Sequence, residues 1–149
     1  MKTVACILAA LFLAGAFAFA FAYAVPYNVA ADVPHWGVTA RALAAIRDHS
    51  IATRARDVAV PDLADPALIA LGAEHYAAMC AGCHLAPGML NNEMRQGLNP
   101  TPPELSRRRD RHPAETFWII KHGIRMTGMP AWGVTHDDES IWGLVAFLQ

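Results

Sequence analysis

The stretch Tyr76–Gly88, "YAAMCAGCHLAPG", sets two cysteines three apart, Cys80 and Cys83, with His84 directly after the second. Three chemistries use such a pattern: a redox dithiol, half of a zinc site, or the attachment point of a c-type haem. A thioredoxin-like dithiol needs a strand before it and a parallel sheet around it. Here the preceding residues read as helix, and no segment shows a convincing strand pattern. A zinc site needs a second pair of ligands at suitable spacing. His112, His122 and His136 are scattered, and there is no second cysteine pair. Haem attachment needs only what is present. Cys80 and Cys83, one helical turn apart, can both reach porphyrin vinyl groups as thioethers, and His84 supplies the proximal iron ligand.

The N-terminus supports the third reading. From Val4 to Val25 there is no charged residue. As a helix this run would be about 33 Å long, enough for the hydrocarbon core of a bilayer. It exceeds the usual signal h-region of about 7 to 15 residues, which favours an uncleaved anchor. Ala22-Tyr23-Ala24 has the small-x-small form of a cleavage site, so a removed signal is the alternative. Either way the rest of the chain is exported, with Lys2 keeping the N-terminus cytoplasmic. Haem is attached to Cys-x-x-Cys-His motifs on that exported side. Cys6 lies within the apolar run and reads as an inert thiol.

The chain has 149 residues and a formal charge of −1, so one modest domain with attachments is expected and nucleic acid is excluded as a partner. Residues 1–25 form the apolar helix and 26–65 a spacer. The spacer carries one helix over Val38–Arg56, with Val38, Ala42, Ala45, Ile46 and Ala52 as its apolar positions. His35 and His49 read as ordinary histidines. Residues 66–149 form the haem domain. Asp65 caps a helix that starts at Pro66 and runs to about Ala81, delivering Cys80 at its end. Leu85–Pro103 is mostly loop. Pro113–His122 is helical and Gly123 stops it. A last helix begins near Asp137, with acids in its first turn. It ends abruptly at Gln149 without a capping residue, which reads as a shortened terminus. The expected fold is all-α.

With these features the chain resembles class I c-type cytochromes over roughly Pro66–Gln149, the monohaem, membrane-attached bacterial members above all. The family's glycine and aromatic residue, eight and four positions before the first haem cysteine, match Gly72 and Tyr76. The family's closing helix matches "ESIWGLVAFLQ", so Leu144 and Phe147 are expected to meet Gly72 and Tyr76. The family's late methionine–proline ligand pair matches Met129-Pro130 in "GIRMTGMPAWG". Met126 is the rival. Met129 is preferred because Pro130 pins the loop and Gly128 lets backbone approach the haem. Met79, Met89 and Met94 read as filler.

A haem-ligating histidine needs a carbonyl for its other ring nitrogen. In the family a proline loop supplies it, here "LNPTPPEL" with Pro100 as the candidate. Trp118, Ile119 and Trp132 are expected against the haem. The resemblance implies one covalent haem c with His84 and Met129 on the iron, and one-electron transfer in a respiratory-type chain rather than catalysis. Partners are then a redox protein donor and acceptor, with no small-molecule substrate. The haem domain would sit in the periplasm, anchored to the inner membrane, or soluble there after cleavage. Two alternatives stand: an electron-relay subunit of a larger membrane oxidoreductase complex, and a gas-binding haem protein. The basic run Arg107–Arg111 ("RRRDR") is either a solvated surface or a docking patch for an acidic partner.

Overall fold

A computed structural model describes residues 2–24, 27–107 and 111–149. The described residues are all-helical, with no strand. They divide into two compact units, Met1–Val33 and Pro34–Gln149. The first holds α1, Lys2–Ala24, which buries none of its residues. Its 23 residues are apolar and long enough to cross a membrane, a property that a signal sequence shares.

The second unit begins with α2, Gly37–Ala55. Helix α3, Pro66–His75, starts as expected: Asp65 accepts a hydrogen bond from the Ala67 N–H at 2.9 Å, and Pro66 occupies the first turn, where its missing N–H costs nothing. The helix does not run evenly to Ala81. Residues Tyr76–Cys80 form one π-helical turn before α4, Ala81–His84. Such turns insert a residue into the helical ladder and re-aim the residues downstream, here the cysteine-histidine segment. Helix α5, Glu93–Gln96, is a single turn in the long loop. Helix α6, Pro113–His122, carries Pro113 in its first turn and ends at Gly123, whose φ of +66° suits glycine. Helix α7, Asp138–Leu148, is capped by Asp137, which accepts from the Ser140 N–H at 2.9 Å.

Helices α3 and α7 form the main packing pair. They cross glycine to glycine: a Cβ on Gly72 would lie 1.8 Å from the Gly143 carbonyl oxygen and 2.9 Å from the Leu144 nitrogen. Tyr76 meets Phe147 one turn on, ring centroids 5.3 Å apart. The expected crossing is therefore present, with Gly143 as the nearest residue to Gly72. Ile141, Leu144 and Val145 of α7 are essentially inaccessible to water. Phe117 of α6 stacks on Trp142 at 4.1 Å, which ties α6 to the same core.

Helix α2 departs from its expected apolar stripe. Val38 and Ile46 are about two-thirds exposed, while Ile51 and Ala55 are buried. Its half-buried or buried residues include Leu43, Ala44, Arg47, Ile51 and Ala55. This is a helical face spaced by three and four residues, and it packs against α6. A polar residue in that face, Arg47, hides the stripe from a count of apolar positions.

Candidate haem site

One cavity of about 890 Å³ opens among α2, the α3–α4 segment, the proline loop, α6 and the loop after it. That volume lies within the range of cofactor sites. Cys80, Cys83 and His84 line it from one direction, and Met129, Pro130 and Trp132 also line it. Both cysteines are unbridged. Burial, and secondarily the neighbouring Cys83, pushes the Cys80 thiol up to about 11. The Cys83 thiol points at the Met94 sulfur, 3.5 Å away.

His84 is held from behind. Its Nδ1 lies 2.8 Å from the Pro103 carbonyl oxygen. A carbonyl only accepts, so Nδ1 carries the proton and Nε2 keeps its lone pair for a metal. Burial lowers the imidazole below its ordinary value and the Arg95 guanidinium adds to this, while the bond to Pro103 acts the other way. The neutral form, the one that ligates, is therefore favoured. The expected partner, Pro100, is corrected to Pro103. Pro100 lines the cavity, but the Pro102 carbonyl accepts from Arg95 Nη2 at 2.9 Å, and it is the next carbonyl that reaches His84.

The loop after α6 is closed on itself. A Cβ on Gly123 would lie 2.7 Å from the Met129 oxygen and from the Pro130 carbonyl atoms, so glycine is required for this approach as well as for φ. The Ile124 N–H donates to the Met129 oxygen at 3.3 Å. The Thr127 hydroxyl donates to the Ile124 carbonyl at 2.7 Å and accepts from the Met129 N–H at 3.1 Å. Met126, with φ of +62°, is 64 % exposed and absent from the cavity lining. Gly128 faces Leu98, whose Cδ2 would be 2.6 Å from an added Cβ.

Trp118 is the second correction. Ile119 and Ile120 line the cavity, whereas Trp118 packs on His122 at 4.8 Å and is not among the described lining residues. Thr116, Ile119 and Ile120 share one face of α6, and position 118 points away from it. Met79, expected as filler, also lines the cavity.

Two contributions to the site are not expected from the sequence: the hydroxyl of Tyr76, a residue expected only as a packing aromatic, and Arg95. Tyr76, buried, donates its hydroxyl to the Leu85 carbonyl at 2.5 Å, and burial, then Cys80, pushes it up to about 12. This fixes the residue after His84. Arg95 lines the cavity with a buried Nε that has no hydrogen-bond partner, while its other nitrogens reach Asn91 and Pro102. An orphaned guanidinium N–H beside two thiols and a neutral imidazole is an open place for an anionic group. Haem c, with two thioether positions, a metal and carboxylate side chains, fits this donor set. In the basic run, Arg107 pairs with Glu104 and Arg111 with Glu115, each at 2.9 Å, and residues 108–110 lie outside the described residues.

A helical domain whose large cavity gathers a Cys-x-x-Cys-His segment defines a c-type cytochrome. Residues 67–148 match the family described as cytochrome c oxidase, cbb3-type, subunit III, and the chain belongs to it. No curated protein and no solved structure matches the chain. Membership implies a covalently bound haem c, whose attachment motif Cys80, Cys83 and His84 fit, and a role as an electron carrier between redox partners.

Proposed function

We propose that the protein is a monohaem, class I cytochrome c with His84 and Met129 as the axial ligands, tethered to the membrane by α1 with its haem domain in the periplasm. The observation that carries this is the shared cavity. His84 and Met129 both line it, and each is fixed from outside by its own bonds, His84 to Pro103 and Met129 through Thr127 and Ile124. The haem supplies a one-electron Fe(III)/Fe(II) couple. Methionine ligation favours the reduced iron relative to two histidines, giving a fairly high potential. The chain's part is to hold the two donors still and keep water from the ring. Ile119, Ile120 and Trp132 serve that exclusion, and Arg95 would receive a haem carboxylate.

The test is the near-infrared charge-transfer band of methionine-ligated ferric haem. Met129→Ala should abolish it and Met126→Ala should keep it. A c-type spectrum with no such band in the unaltered protein would overturn methionine ligation. The name of the matched family favours a second reading, an electron-relay subunit of a larger membrane oxidoreductase. Stoichiometric co-purification with a membrane enzyme, in a respiratory-type chain, would favour it over a free carrier. Tight carbon monoxide binding to the reduced form would instead point to an open iron and a gas-binding role.

A further inference from the structure

Helix α2 lies wholly outside the family region, which starts at residue 67. It nonetheless contributes Arg47, Asp48 and Ile51 to the lining of the haem cavity. Ile51, 2 % exposed, anchors it, and polar groups continue from it to α6. Arg47 makes a two-pronged contact with Asp48, Nε to Oδ1 at 2.9 Å and Nη2 to Oδ2 at 3.1 Å. The Arg111 Nη2 reaches the same Asp48 Oδ1 at 3.9 Å, while its Nη1 holds Glu115 at 2.9 Å. Asp48 is held below the ordinary carboxylate range, chiefly by the Arg47 hydrogen bond with charge from Arg47 and Arg111, so it is an anion.

The charges around the cavity do not balance. Among the described lining residues there are four arginines, Arg47, Arg95, Arg107 and Arg111, against two carboxylates, Asp48 and Glu104. Glu115, outside the lining, offsets Arg111, so one positive charge remains, and a haem c brings two carboxylates. We infer that α2 is a wall of the haem pocket rather than a tether, and that its Arg47, with Arg111 of the facing segment, forms a rim site for a haem carboxylate in which Asp48 is the built-in competitor. This deepens the haem reading and rests on it. The site is half-exposed, with side-chain accessibility of 40 % for Arg47, 51 % for Asp48 and 36 % for Arg111. Its effect on the iron is therefore screened, and moderate.

The two members act in opposite directions. A cation near the haem favours Fe(II), and an anion favours Fe(III). At a fixed ambient potential, Arg47→Gln should lower the reduced-to-oxidised ratio about three- to tenfold, and Asp48→Asn should raise it by a similar factor. Tenfold corresponds to about 59 mV for a one-electron couple. Arg47→Lys, which keeps the charge, should stay near the unaltered value. The measurement is a spectroelectrochemical titration of the full-length, haem-loaded protein, with the melting temperature recorded alongside. Opposite shifts with the lysine rescue support the site. Unchanged potentials in both variants overturn it, as do shifts of one sign that merely track lost stability. A chain that takes up no haem fails earlier, at the absorption spectrum, and overturns the haem reading with this inference. A normal spectrum with inert potentials overturns this inference alone.

Discussion

Replacing Gly72 by alanine should disable the crossing on which the pocket is built. Alanine is the better helix former, and by propensity alone the change should stabilise α3 by about 1 kcal/mol. The packing says otherwise. The new Cβ would sit 1.8 Å from the Gly143 oxygen and 2.3 Å from its carbonyl carbon, and backbone cannot swing aside. Helix α7 would have to retreat by about 1.6 Å to reach the 3.4 Å at which ordinary contact begins. That retreat loosens Ile141, Leu144 and Val145, the most deeply buried residues of α7. Overpacking costs about 1–3 kcal/mol and sometimes more, and this case belongs at the top of the range. Allowing for the propensity gain, the net loss is about 2 kcal/mol. For a domain of this size that is roughly a 12 °C fall in melting temperature. The partner glycine supplies the control. A Cβ on Gly143 would lie 3.1 Å from the Gly72 nitrogen and the Leu68 oxygen, a crowding that a few tenths of an ångström relieves. Gly143→Ala should therefore fall within about 4 °C of the unaltered protein, its strain offset by helix propensity. Circular dichroism melts of both haem-loaded variants decide. A Gly72→Ala protein that melts within a few degrees of its parent, or a Gly143→Ala protein that is the weaker of the two, would refute the reasoning.

Three further outcomes are expected. Thr127→Val removes the hydroxyl that bridges Ile124 and Met129 without changing its volume, so the melting temperature should drop by the equivalent of about 1–2 kcal/mol. The near-infrared band should weaken with it, and Thr127→Ser should restore both. Asp137, its carboxyl held low by the Ser140 hydrogen bonds, contributes stability present above pH 3.8 and lost as acid protonates it through its depressed folded value. Asp137→Asn keeps the cap and cannot titrate, so the fall in melting temperature below pH 3.8 should be shallower; an unchanged acid limb would count against the cap. Cys80→Ala with Cys83→Ala should give a chain with no cooperative thermal transition, since the group that fills the cavity is no longer attached. A sharp melt in that double variant would contradict this.

Most of the local structure is legible in single residues. Asp65-Pro66, Pro113 and Gly123 mark helix ends through chemistry that acts within one turn, and the structure puts those boundaries where that chemistry predicts. The cysteine-histidine motif is equally local. The illegible parts depend on contacts across the fold. The π-helical turn at Tyr76–Cys80 leaves no mark in composition. The choice among prolines is open in the sequence because each offers the same carbonyl and none offers an N–H. The register is set by Arg95, which occupies Pro102 and leaves Pro103 for His84. Trp118 misleads because a tryptophan beside two isoleucines looks like core, whereas the helical period turns it away. The buried face of α2 is obscured by Arg47, a charged residue whose place makes sense only once the cavity is seen.

The pocket's dimensions rest on backbone meeting backbone at two places. Gly72 against Gly143 sets how close α7 comes to the helix that leads to Cys80, and Gly123 against Met129 and Pro130 sets how far the methionine loop stands from α6. Side chains at these points would be compressible and could adopt several rotamers; main-chain contacts have no such freedom. The histidine is fixed in the same manner, since its ring bonds to a main-chain carbonyl rather than to a mobile side chain. An electron carrier needs donors that stay put when the iron changes charge, because any movement of ligands adds to the barrier of each transfer. A glycine at each close approach and a backbone acceptor behind the imidazole provide that stillness within a small domain. Substitutions at Gly72 and Gly123 should then slow electron self-exchange even where haem remains bound, and a change of Leu90, an exposed side chain between α4 and α5, should not.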